Sequence, residues 1–131
     1  MKKLELRPSL DAMSQATDFV EETLSLSGVP MKVIMRFQIA VDEVFSNIAQ
    51  YSNAKYSSLE CGVDDGCITL VFTDDGVEYD PTAREEPDVT LSAEDRDIGG
   101  LGIYMVKKSM DSVEYEYLDG KNILTLKKKL N

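Results

Sequence analysis

Glu43 and Asn47 stand four residues apart, and on a helix that spacing puts both side chains on one side, one turn apart. Their types point to metal-assisted chemistry. An amide oxygen is a hard ligand suited to Mg2+, and a nearby carboxylate can take a proton from a hydroxyl or a water. Asn is a poor residue in mid-helix because its amide competes for backbone hydrogen bonds; the plain alternative is a solvated helix edge. Asp74-Asp75-Gly76 follows directly on the apolar alternation of residues 68–73. An Asp at a strand end is held well enough to accept a hydrogen bond from an exocyclic amine such as that of adenine, and Gly76 lets a flat ring come close to the backbone. An acidic turn closing a strand is an equal alternative. Gly99, Gly100 and Gly102 open an apolar helical pattern, where unpaired N–H groups and the positive end of the helix dipole favour phosphate. Glycine in or beside a helix costs up to ~1 kcal/mol, so a merely flexible loop exit is the weaker reading of that cluster.

The rest of the composition narrows the chemistry. The 131 residues include no histidine, which removes Ser-His-Asp and Cys-His dyads, His-rich zinc sites and a phosphohistidine acceptor. Cys61 and Cys67 flank Asp64-Asp65-Gly66. This spacing suits two positions of a hairpin better than a redox pair or a metal knuckle, so both are expected to be structural thiols. Lys and Arg number 14 against 24 Asp and Glu, a net charge of −10. That balance argues against nucleic acid and anionic membrane as partners. No apolar run approaches the ~20 residues that span a bilayer, and the start MKKLELRPSL lacks a signal peptide's apolar core, so a cytoplasmic location is expected.

The elements that must position these residues are legible in the periodicity. Residues 2–7 alternate as a short strand ended by Pro8. Ser9 is placed as an N-cap, with Leu10, Met13, Thr17, Val20 and Leu24 at helical spacing up to Ser27-Gly28. Pro30 marks the start of a second helix bearing Ile34, Phe37, Val41, Val44 and Ile48. Leu59, Cys61 and Val63, the Asp65-Gly66 turn, then Ile68, Leu70 and Phe72 predict a hairpin. Residues 79–98 form a long polar loop, of a length usually functional or disordered. A helix follows from Gly99 to about Asp111 with Ile103, Val106 and Met110 spaced for burial, and a second hairpin turns at Asp119-Gly120. Lys127-Lys128-Lys129 is read as an exposed strand end that limits edge pairing. The order predicts a single domain over 1–131: an α+β two-layer sandwich with an antiparallel or mixed, mostly antiparallel sheet and its helices on one face. Without βαβ alternation the glycines are weak evidence for a Rossmann site.

In their order the three segments resemble a known family, the anti-sigma-factor serine/threonine kinases of the GHKL (histidine-kinase-like) ATPase superfamily. Residues 41–47, VDEVFSN, look like its N box; residues 72–81, FTDDGVEYDP, resemble its first glycine box; residues 99–106, GGLGIYMV, resemble its second. Met110-Asp111, Val113-Glu114-Tyr115 and Gly120-Lys121-Asn122 continue the closing pattern. The resemblance implies an ATP site in the Bergerat fold, with Glu43 as general base, Asn47 as Mg2+ ligand, Asp74 as acceptor of the adenine amine and Gly76 beneath the ring. Gly100 and Gly102 would bring amides to the phosphates, and Tyr79, Gly99, Leu101 and Ile103 join the nucleotide-binding set. Residues 79–98 would be the ATP lid, whose cations are Arg84 and Arg96. The sequence departs from many relatives at Gln50-Tyr51.

Two functions of different class follow. The first is an ATP-dependent serine/threonine kinase that phosphorylates a small anti-anti-sigma (STAS-type) partner and otherwise holds a sigma factor. The second is a nucleotide-responsive binding module that sequesters a regulatory partner without phosphorylating it. The detached ATP-binding half of a sensor histidine kinase is disfavoured, since the chain has no acceptor histidine and no dimerisation helix pair. Family resemblance implies a homodimer, with the first strand and the exposed face of the first helix as the expected contact. The −10 charge means that an ATP site here must offset phosphate charge with Mg2+, helix N-terminal amides and lid arginines rather than a basic patch.

Overall fold

A computed structural model describes residues 1–83 and 98–130. The chain runs β1 (Lys2–Leu6), a 3-10 turn (Leu10–Ala12), α1 (Met13–Leu26), α2 (Met31–Tyr51), β2 (Ser57–Asp64), β3 (Cys67–Asp74), a second 3-10 turn (Pro81–Ala83), α3 (Ile98–Ser109), β4 (Ser112–Leu118) and β5 (Lys121–Lys129). The five strands form one sheet in the order β1-β2-β3-β5-β4. Every pairing is antiparallel, so of the two sheet types expected the antiparallel one is found. Both hairpins turn on two residues with positive φ, Asp65-Gly66 and Asp119-Gly120. That pair of conformations matches the twist of the flanking strands, and Gly takes the second position without steric cost.

One face of the sheet is apolar and the helices cover it. The register aligns Leu59 with Phe72 and Leu124, and Cys61 with Leu70 and Leu126, and all six are buried. Against them α2 turns Ile34, Phe37, Val41, Val44 and Ile48, all buried. Ala40 and Phe45 are buried as well and widen the stripe, because α2 lies against both α1 and α3. Each large side chain removed from water stabilises the fold by roughly 1.5–3 kcal/mol. From α1 come Ala16, Val20, Thr23 and Leu24, and from α3 and its exit Ile103, Val106 and Met110. Helix α1 ends in a Schellman arrangement, with Gly28 N–H on Ser25 C=O and Val29 N–H on Leu24 C=O.

Two local expectations are corrected. Ser9 makes no side-chain cap; its carbonyl accepts from Ala12 N–H and starts a 3-10 turn instead. Leu10 therefore precedes α1 and is 52% exposed. Pro30 stands where α2 begins, as its N-cap, in agreement with the expectation. Lys127-Lys128-Lys129 ends β5, an inner strand of the sheet; Lys127 pairs with both β3 and β4, whereas Lys128 and Lys129 pair with β3 alone. The outer strands are β1 and β4, and the lysines form the exposed end of β5, which overhangs β4 beyond Lys127. Arg84, Arg96 and most of the loop 79–98 lie outside the described residues. No helix among the described residues is long and apolar enough to cross a membrane.

Candidate functional site

Alternation along β3 places Ile68, Leu70, Phe72 and then Asp74 on the covered face, so the strand delivers a carboxylate to a position otherwise apolar. Asp74 is only 5% exposed. Its Oδ1 accepts from Gly76 N–H at 2.9 Å and from Asn122 Nδ2 at 3.1 Å, while Oδ2 accepts none among the described residues. Burial pushes this carboxyl above its ordinary value, against the lowering effect of those two hydrogen bonds. A buried, ionisable oxygen facing a cavity with no donor of its own is suited to a ligand's N–H group.

Asn122 is the buried hub beside it, and the sequence reading did not count it in the site. Its Nδ2 also donates to Val77 C=O at 2.9 Å, and its Oδ1 accepts from Tyr79 N–H at 3.0 Å and from the Tyr115 hydroxyl. The donor and acceptor ends of one amide are thus both used, which fixes its orientation. A signal was present: Asn122, Leu124 and Leu126 alternate onto the covered face of β5, so an amide there is buried and needs partners. Tyr115, opposite Leu124 in β4, completes the network.

Gly76 and Asp75 fasten this strand end to the helix layer. A Cβ on Gly76 would lie 2.3 Å from the Ser52 carbonyl oxygen, and Val77 N–H donates to that same oxygen at 2.8 Å. Asp75 points the other way. Its Oδ1 accepts from Lys55 and Tyr56 N–H at 2.8 and 2.9 Å, and those backbone donors, Tyr56 first, hold its carboxyl below the ordinary value. The adjacent Asp pair is therefore divided in role, with Asp74 facing inward and Asp75 tying down the segment between α2 and β2.

Glu43 and Asn47 lie on one side of α2, as their spacing required, and Asn47 Nδ2 donates to Glu43 Oε1 at 3.3 Å. That bond uses the amide's donor end and leaves its oxygen as a hard donor. Across from them α3 brings Gly102, where a Cβ would fall 2.1 Å from the Glu43 carboxylate. The glycine thus makes room for the Glu43 carboxylate at the α2–α3 contact. Gly99, Gly100 and Leu101 form the first turn of α3, one helical turn from that carboxylate's neighbour.

A cavity of about 470 Å3 opens among these elements, a size usual for small-ligand sites. Its described walls include Asn47, Asp74, Tyr79, Tyr115, Asn122 and Ile103, with Val44, Ile48, Phe72 and Leu124 as its apolar floor. Glu43, Gly76 and Gly102 stand beside these walls rather than on them. Among the described residues no three Cys, Asp or Glu gather as a metal cage. The donor set fits Mg2+ held by the Asn47 oxygen together with oxygens of a bound phosphate chain, since that ion is usually held by one or two protein ligands plus phosphates.

The model of the histidine kinase-like ATPase domain matches residues 6–128. The serine/threonine-protein kinase BtrW of Bordetella bronchiseptica is 36% identical over 59 residues, which cover 45% of this chain and 42% of BtrW. The serine-protein kinase RsbW of Listeria monocytogenes is 28% identical over 125 residues, covering 79% of this chain and 75% of RsbW. The match thus spans less than half of BtrW and three-quarters of RsbW. Among solved structures, the RsbU and RsbW domains of a Mycobacterium tuberculosis protein superpose with a TM-score of 0.65 at 14% identity, over 99% of this chain and 33% of that one. The Acinetobacter baumannii histidine kinase AdeS superposes with a TM-score of 0.54 at 14% identity, over 100% of this chain and 70% of that one. These last two are likenesses of fold.

Proposed function

The chain belongs to the histidine kinase-like ATPase domain family, and on that premise we propose that it is a Mg-ATP-dependent protein serine/threonine kinase acting as an anti-sigma regulatory factor. The observation that carries the reading is the convergence on one cavity region of the Asp74 carboxylate, from β3, and the Glu43–Asn47 pair, from α2. The kinase names of BtrW and RsbW support the same direction. The acceptor is a small anti-anti-sigma protein of STAS type and the sequestered partner a sigma factor. The protein acts in the cytoplasm, as a homodimer.

In this reading the Asp74 Oδ2 accepts the adenine 6-amino group, and Asn122 keeps the carboxylate turned toward it. Gly76 lies beneath the ring, Tyr79 and Ile103 border the nucleotide, and the first turn of α3, with Gly99, Gly100, Leu101 and Gly102, offers backbone amides to the phosphates. Mg2+, held by Asn47, supplies charge neutralisation along the phosphate chain. The acceptor's hydroxyl oxygen forms a bond to the γ-phosphorus as the bond to the β–γ bridging oxygen breaks and ADP leaves; Glu43 takes the hydroxyl proton. With no histidine in the chain, a carboxylate is the base at hand.

The deciding experiment is incubation with Mg-ATP and a STAS-type acceptor, followed by phosphosite mapping. Phosphoserine or phosphothreonine on the acceptor is expected, and its absence would count against the kinase. Glu43→Gln should abolish transfer while keeping nucleotide affinity. If partner control survives that substitution unchanged, the binding-module function replaces the catalytic one.

A further inference from the structure

The first half of α2 lines no part of the cavity, although the row at steps of four that starts at Met31 runs on into Glu43 and Asn47. Met31, Met35 and Ile39 follow at steps of four and are 52%, 55% and 59% exposed, a single stripe turned away from the sheet. The outward positions Asp18 and Glu22 of neighbouring α1 are charged and exposed, as an ordinary solvated helix face is. Met105 extends the stripe onto α3. That helix leaves the cavity at Ile103 and ends beside β5 near Lys127, whereas α2 runs toward the cavity, so the two are antiparallel. Gly102 faces Glu43, and Met105, one turn further and exposed, is level with Ile39.

Positive charge borders this stripe, as it also marks residues 121–130, with four lysines and no carboxylate. Residues 31–41 contain Lys32 and Arg36 and no carboxylate, in a chain of net charge −10. Lys3, Lys107, Lys108 and Lys121 have contacts with Glu5, the Thr82 carbonyl, Tyr104 and Tyr56 respectively. Lys32 and Arg36 have neither an ion pair nor a side-chain hydrogen bond among the described residues. They sit four apart, so they form a basic rim along the apolar stripe.

We propose that this stripe docks an amphipathic helix of a protein partner, with apolar side chains at steps of three and four and carboxylates along its flank. Anchors at i, i+4 and i+8 match a helix laid along a helix pair, and methionine's flexible thioether adapts to a partner's shape. The rim selects an acidic flank. A two-fold pairing of the stripe with a second copy would set Lys32 and Arg36 against themselves, so a second copy is the disfavoured occupant. The proposal stands apart from phosphotransfer.

The test uses the intact protein and two labelled synthetic helical peptides of about 18 residues, five turns. Both carry leucine on one stripe, and the flanks are Glu in one and Lys in the other. Fluorescence anisotropy should show the Glu peptide binding at least about tenfold more tightly than the Lys peptide. Met35→Asp and Ile39→Asp should each weaken it about tenfold or more, and Lys32→Glu with Arg36→Glu should reverse the preference. ATP affinity and thermal unfolding should stay unchanged in all of these variants, which separates a failure here from a failure of the nucleotide site. Equal binding of the two peptides, binding of neither, or variants that bind like the parent would overturn the proposal. So would a concentration-dependent dimer in sedimentation that Ile39→Asp dissolves, because that assigns the stripe to a second copy.

Discussion

In the proposed site Asp74 and Asn122 would divide one task, the carboxylate accepting from the adenine amine while the amide, bonded to it at 3.1 Å, aims it. In Asp74→Asn the new carbonyl oxygen can keep the hydrogen bonds from Gly76 and Asn122, while an NH2 group faces the cavity. ATP affinity should therefore drop about tenfold to hundredfold, the worth of a hydrogen bond to a charged group, and GTP, whose 6-oxo group is an acceptor, should lose less; isothermal titration with both nucleotides checks this. Protonation makes a second test. Because the folded protein holds the Asp74 proton more tightly than the unfolded chain does, its favourable contribution is complete below the ordinary value of 3.8 and is lost as pH rises through the higher folded value. Asp75 has the opposite sign, contributing above 3.8 and losing that contribution as pH falls through its lower folded value. Without nucleotide, Asp74→Asn should raise the melting temperature at about pH 7 and do so less toward about pH 4, whereas Asp75→Asn should lower it at about pH 7. Thermal unfolding across that range reads both signs.

Between elements, the decisive contacts are places where a side chain is missing. At Gly102 the atoms in the way of a Cβ are the end of the Glu43 side chain, which can move. Alanine is also the better helix former by about 1 kcal/mol. Gly102→Ala should consequently melt no lower than the parent yet lose phosphotransfer, because the carboxylate is displaced. At Gly76 the obstacle is the Ser52 backbone carbonyl, which is fixed at the end of α2. Gly76→Ala should cost about 1–3 kcal/mol of stability, as overpacking does, measured by denaturant unfolding. Within the first hairpin, Cys61 is fully buried and its thiol is pushed up to about 12 by that burial, whereas Cys67 is partly exposed. A thiol alkylating reagent on the native protein should modify Cys67 and spare Cys61, as read by mass spectrometry.

Taken as a whole, a molecule of charge −10 repels a polyphosphate at long range and must bind it by local arrangement. The means available are amides at the start of α3, the Asn47 oxygen and a divalent ion. Chelation of Mg2+ should lower ATP affinity by about tenfold or more, and undiminished affinity in chelator would contradict the proposed charge balance. In the proposed docking of an acidic-flanked helix on α2, added salt should weaken the contact.

Periodicity alone determined the elements and which face of each is buried. The stripe of α2, the alternation of β2, β3 and β5, and the two Asp-Gly turns fix a covered sheet, because side-chain direction follows from backbone repeat. It also determined that Glu43 and Asn47 share a helix side, a matter of four residues. What the sequence could not supply was distance between segments far apart in the chain. Strand order placed Lys127–Lys129 on an inner strand, and pairing of β3 with β5 brought Asn122 to Asp74 across 48 positions. Only close packing of α3 on α2 turned Gly102 from a feature of a glycine cluster into the space for a carboxylate. Local repeats are set by covalent geometry and neighbours, whereas these contacts arise when the whole apolar face is buried at once, and that is decided by tertiary structure.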